Sequence, residues 1–179
     1  MTSAAELVRD FVNTYDVEDD TDDLASPAEL SVWLHERALT GPGDRATDDD
    51  LTLAVCLREG LRTTLTTGLP AAALQGAQQV LEEALRALPL RVRLTTAGPG
   101  LAPLAAGVRG GLGAIAAAVA RAQADGTWRR LKVCAEGTCR WAFIDASKNR
   151  SRAWCSMRVC GNRTKTRAYR ARQHRTRPS

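Results

Sequence analysis

The sequence predicts an α+β protein in two parts: a mainly helical N-terminal domain with a short β-hairpin, and a small C-terminal module built from a hairpin and a basic helix. Three observations carry this. Apolar residues recur at helical spacing through most of residues 1–127, the period changes to strand alternation at "LRVRL", and four of the five cysteines fall in the last 52 residues. A chain of 179 residues is long enough to bury a real core without disulfides.

Charge divides at the same place. Residues 1–127 carry 10 Lys+Arg against 18 Asp+Glu, a net −8, and residues 128–179 carry 15 against 2, a net +13. A segment this basic is the electrostatic footprint of a module that meets a polyanion. Nucleic acid and an anionic membrane surface both qualify. The chain shows no lipidation motif, and its longest low-charge apolar stretch, Leu112 to Ala120, is too short to span a bilayer. The start "MTSAAELVRDF" lacks the pattern of a secretory signal, so a cytoplasmic protein with reduced thiols is expected.

In "AELVRDFVNTY" the pairs Leu7/Val8 and Phe11/Val12 repeat at i, i+4 and predict a first amphipathic helix. The six acids between Asp16 and Asp23 lack the glycine and spaced ligands of a calcium loop and read as a solvated loop. "SPAELSVWLHERAL" has Ser26 as N-cap, Pro27 at the first helical position and Glu29 closing a capping box, with Leu30, Trp33 and Leu34 facing the core. His35, alone there, reads as a surface or core-edge histidine. "TDDDLTLAVCLREGLRTTL" opens with acids suited to a helix N-terminus, and Ala54, Leu57, Leu61 and Leu65 form its stripe; Cys56 reads as a small hydrophobe. A helix from about Pro70 carries Leu74, Ala77, Leu81, Leu85 and Leu88. "LRVRL" and "LAPLA" across "TTAGPG" predict a hairpin whose second strand Pro103 confines to an edge. A last helix, marked by Val108, Leu112, Ile115 and Val119 and softened by glycines, ends near "ADGTW", the domain boundary. This part holds no nucleophile elbow, Walker loop, dinucleotide fingerprint or histidine pair, so no enzyme is expected.

Beyond that boundary, Cys134/Cys139 and Cys155/Cys160 form two pairs, each enclosing four residues and separated by fifteen. Two short cysteine turns joined by a longer loop supply the four soft ligands of a structural Zn2+, with no position left open for catalytic water. Two disulfides, buried free thiols and an iron–sulfur cluster are the other readings, and His174 is a remote substitute ligand. Arg and Lys nearby favour thiolates and offset the negative charge that four of them leave on a divalent ion. "LKVCAEGTCRWAFIDAS" suggests one strand into the first cysteine turn and another out of it, with Trp141 and Phe143 on one face.

After Cys160, "GNRTKTRAYRARQHR" predicts a helix from Asn162, its N-cap, to about Arg175. With only Ala168, Tyr169 and Ala171 to bury, no hydrophobic stripe can hold it. Cys160 on a metal would fix its first turn and leave the cations for phosphate. Arg163, Arg167 and Arg170 share one face, Lys165 and Arg172 another, and Lys148, Arg150 and Arg152 add to the cluster from the loop between the cysteine pairs.

These residues carry a resemblance. "CAEGTCRWAFIDASKNRSRAWCSMRVCGNRTKTRAYRAR" closely resembles the CGNR zinc finger, whose motif is here Cys160-Gly161-Asn162-Arg163, and "RDFVNT" with "DDLASPAELSVWL" is similar to the ABATE domain that accompanies it. The resemblance implies a bacterial stress-induced transcription regulator with a structural zinc on Cys134, Cys139, Cys155 and Cys160. The implied contacts to duplex DNA come from Lys148, Arg150, Arg152, Asn162, Arg163, Lys165, Arg167, Arg170, Arg172 and Arg175. Residues 1–127 would form a regulatory or dimerising domain and 128–179 the finger. The alternatives are an RNA-binding zinc module and an N-terminal domain that acts on a small molecule beside a purely structural finger. A further expectation is that the acidic part covers the basic one until a signal separates them.

Overall fold

A computed structural model describes residues 2–96 and 98–175, with His174 and Arg175 described as backbone only. Its helices are α1 Ala4–Val12, α2 Pro27–Glu36, α3 Asp48–Thr64, α4 Ala71–Arg86, α5 Gly107–Ala124 and α6 Asn162–Arg175. Three antiparallel two-stranded sheets accompany them: β1 Tyr15–Asp16 with β2 Thr21–Asp22, β3 Leu90–Thr95 with β4 Gly98–Pro103, and β5 Leu131–Val133 with β6 Ala142–Ile144. The fold is the α+β arrangement that the periodicities predict.

Local chemistry sets the helix starts. Ser3 and Thr47 form reciprocal capping boxes with Glu6 and Asp50. Ser26 accepts from the Glu29 amide with Pro27 behind it, and the return bond that would complete a box there is not formed. Val8, Phe11 and Val12 of α1, Leu30, Trp33 and Leu34 of α2, and Ala54, Leu57 and Leu61 of α3 meet in one core with Leu112 and Ile115 of α5. The α5 glycines let the helix pack closely. A Cβ on Gly113 would lie 3.1 Å from the Pro103 Cβ, so glycine there lets α5 approach the foot of the β3–β4 hairpin.

One expectation changes, and two apolar faces lie open. The acidic stretch is not a plain loop but the β1–β2 hairpin, because Asp22 is gripped at both oxygens by the buried Arg58 guanidinium, at 2.6 and 2.8 Å. The apolar stripe of α4 is largely uncovered. Only Ala84 and, just past the helix end, Leu88 are buried, while Leu74, Ala77 and Leu81 are half-buried and Leu85 is exposed. The β3–β4 hairpin places Val92 opposite Leu101 and Leu94 opposite Pro99, and this apolar side faces outward, with Leu94 81% exposed.

Asp50 gives the core a pH dependence. Burial pushes its carboxyl up, but the Thr47 amide and hydroxyl and the Arg109 guanidinium, at 2.8 Å, outweigh it and hold the group below the usual carboxylate range. A carboxylate depressed in the folded state stabilises above its unfolded value, about 3.9, and loses that contribution as pH falls through the folded value. Asp50→Asn should therefore unfold more easily at neutral pH and show a shallower loss of stability below about pH 4, as urea midpoints across pH would read.

The cysteine-bearing segment is not an appendage. Leu131, Val133 and Ala142 enter the same core as α1 and α5. Asn13 continues the ladder with its side chain, donating to the Ala142 carbonyl at 2.9 Å and accepting from its amide at 2.7 Å. Among the described residues no helix is long and apolar enough to cross a membrane.

Candidate metal centre and basic face

Strand β5 delivers Cys134 to a tight turn whose end returns as Cys139, with Cys134 N–H donating to the Trp141 carbonyl across the base. The second turn is wound more widely. Cys155 precedes a π-helical turn, Met157–Gly161, capped by the Ser156 hydroxyl, and Cys160 lies inside it. Gly161 lets the Met157 thioether and the Trp154 ring lie close to the backbone: a Cβ there would stand 2.5 Å from the Met157 sulfur, which would have to swing aside, and 3.4 Å from the Trp154 ring. The π turn runs into α6 without a break. Asn162 is therefore not an N-cap; it has helical dihedrals, and its side-chain amide donates to the Arg158 carbonyl.

The four sulfurs lie within 4.8 Å of one another, with Cys139 to Cys155 at 3.6 Å and Cys155 to Cys160 at 3.7 Å. A metal held tetrahedrally by thiolates at about 2.3 Å separates its sulfurs by about 3.8 Å, so the donor set fits such an ion, and these distances are too long for disulfides. Burial pushes the Cys155 thiol up to about 12 and the Cys139 thiol further, so a cation is what makes thiolates favourable in this pocket. Trp141 and Trp154 pack against the cluster.

Around the centre, the module's two acids, Glu136 and Asp145, are both buried. Glu136 accepts from Thr138, from Thr164 at 2.8 Å and from Arg167 at 2.9 Å. Burial opposes its charge, but these donors hold its carboxyl below the usual range. A carboxylate, rather than an apolar stripe, thus ties α6 to the first cysteine turn. Asp145 accepts from Lys132 at 2.8 Å and from the Ser147 and Arg152 amides, which hold it well below the usual range against its burial. Lys132 also donates to the Arg150 and Arg152 carbonyls, so one carboxylate–ammonium pair shapes the loop between the cysteine pairs.

The expected contact residues separate accordingly. Arg163 is turned inward, to Glu18 of the acidic hairpin at 2.7 Å and to Thr138. Arg167 grips Glu136 while its side chain stays 60% exposed. Arg152 bonds the Cys155 carbonyl and lies over the Phe143 ring at 5.3 Å. Lys148, Arg150, Asn162, Lys165, Arg170 and Arg172 are exposed, and the Arg175 side chain lies outside the described residues. Glu136, Asp145, Lys132 and Thr164 are structural members of the site that the motif does not point to. The sign that could have found the two acids is their isolation among fifteen cations.

A second anchor comes from α3. The Arg62 side chain is completely buried and donates to the carbonyls of Val12, at 2.6 Å, Tyr15, at 2.9 Å, and Arg140, at 3.1 Å, as well as to Glu59. Arg140 follows Cys139 directly, so the helical part holds the first cysteine turn by its backbone.

A four-cysteine cluster joined to a basic helix and set on a helical part has the donor set of a metal finger. Residues 130–173 match the CGNR zinc finger, and residues 5–127 match ABATE, described as "Putative stress-induced transcription regulator". The chain belongs to the ABATE family and carries a CGNR zinc finger. No curated protein matches it significantly.

Proposed function

We propose that this chain is a non-enzymatic, DNA-binding transcription regulator in which zinc, held by Cys134, Cys139, Cys155 and Cys160, fixes the start of α6 so that its cations meet the phosphates of duplex DNA. One observation carries the reading: both acids of the basic segment are buried and paired internally, which leaves an outward surface of cations without acids from its own segment. The working face is Lys165, Arg170 and Arg172 of α6, with Lys148 and Arg150 of the loop. Arg152, Arg163 and Arg167 position the helix and loop. The zinc supplies cross-linking and charge, not a reaction. One short helix reads few bases, and the outward apolar side of the β3–β4 hairpin supports a homodimer that would place two helices on one site.

Duplex binding by the full chain across a salt series tests this. Affinity should fall steeply with salt, and Lys165→Gln or Arg170→Gln should each reduce the log–log slope by about 0.9, one phosphate apiece. Titration stoichiometry reads the dimer. Absence of duplex binding at low salt, or stronger binding to single-stranded RNA under the same conditions, would overturn the reading.

A further inference from the structure

A cleft of about 540 Å³ opens where α3, α4, the start of β3 and α5 meet, with Trp128 at its side. The sequence makes this space in two ways. Positions of α5 that face it, Ala116 and Ala120, are small, and α4 leans on α3, with Leu81 against Gly60 and with Ala84 and Leu88 buried, so the far sides of Leu81 and Leu85 line open volume instead of packed interior. A well-packed interior keeps few voids larger than a water molecule, and this volume lies within the range of small-molecule sites.

Its chemistry is selective. The lining is apolar except for Thr64, Gln123 and Arg86, and Arg86 is the one charged group among the lining residues. None of the 18 acids of residues 1–127 lines it. The carboxylate nearest to Arg86, Glu82, lies 3.7 Å away in an exposed pair, an arrangement that contributes little and that a ligand anion can replace. A cationic amphiphile would meet no acid on the lining and would face Arg86, and a sugar would find too few donors and acceptors. We propose that this cleft is a binding site for a small amphipathic acid, its apolar body against Ala116, Ala120, Leu81 and Trp128 and its anionic head on Arg86. The site goes beyond the DNA-binding reading and stands or falls separately from it.

The test is a fluorescence titration of the full metal-loaded chain with anilinonaphthalene sulfonate, an apolar anion, and with uncharged N-phenylnaphthylamine. Wild type should bind both saturably. Ala120→Leu, which fills the cleft, and Leu85→Gln, on its exposed wall, should each weaken both probes by about tenfold, or 1.4 kcal/mol. Arg86→Gln should weaken the sulfonate by up to about fivefold and leave the amine unchanged. The doubly substituted Val92→Ser, Leu94→Ser chain should bind as wild type. Wild-type binding by both cleft variants, loss of binding in the hairpin variant, or equal loss of both probes in Arg86→Gln would each overturn the proposal.

Discussion

Arg62→Ala is expected to lower the unfolding free energy by about 3–5 kcal/mol, among the largest effects a single substitution in this chain can have. The guanidinium is completely buried, and three of its four bonds join α3 to the end of α1, to β1 and to the first cysteine turn, the fourth going to Glu59 of α3 itself. Alanine would leave three carbonyls with their donor removed, beside a cavity. Burial favours the neutral form of Arg62, yet Glu59 at 3.0 Å and the carbonyls repay enough of that cost to keep the charge in place. Arg62→Lys should recover little, since one ammonium cannot span carbonyls that a planar fork reaches together. Because the Arg140 carbonyl is one of the three, Arg62→Ala should also weaken metal retention in a chelator competition, which a purely local loss of stability would not do. A urea midpoint consistent with less than about 1 kcal/mol would mean that water replaces the guanidinium and that Arg62 is not an anchor.

Why Arg62 escapes a sequence reading is instructive. In "CLREGLRTT" the residues Arg58 and Arg62 flank Leu57 and Leu61, and periodicity assigns cations to the solvent side. Apart from Glu59, a neighbour in sequence, their partners are Thr14, Asp22 and backbone carbonyls, which carry no signal in the chain and come near only when it folds. The same reasoning covers the acidic stretch, whose hairpin depends on Arg58, and Asn162, whose role depends on a π turn that no propensity marks. Local features were readable: the Ser26 cap, the α1 and α3 stripes, the strands on either side of the first cysteine turn, and the cysteine spacing, because each is set within a few residues. The α4 stripe has the right period and packs on α3, where Leu81 meets Gly60, but the small alanines of α5 leave its other side open. That mismatch between pattern and packing is what opens the cleft.

Removing the metal should have the other large effect, and its reach follows from where the apolar contacts lie. Among the described residues the packing around the sulfurs comes from Trp141 and Trp154, and α6 has no buried apolar stripe, with Tyr169 58% exposed. Structural zinc is worth roughly 10–16 kcal/mol in finger peptides at pH 7, far more than these contacts. Chelation, or Cys155→Ser, should therefore release the second cysteine turn and α6 and abolish duplex binding at low salt. Leu131, Val133 and Ala142 stay in the core of the helical part, so α1, α3 and α5 should keep their protection. Hydrogen exchange resolved by segment checks this: fast exchange across 155–173 with slow exchange across 4–12 and 48–64 is the expected pattern. If α6 stays protected in the stripped protein and loses protection only in Glu136→Gln, the buried carboxylate holds the helix by itself. The metal's contribution would then be confined to closing the cysteine turns.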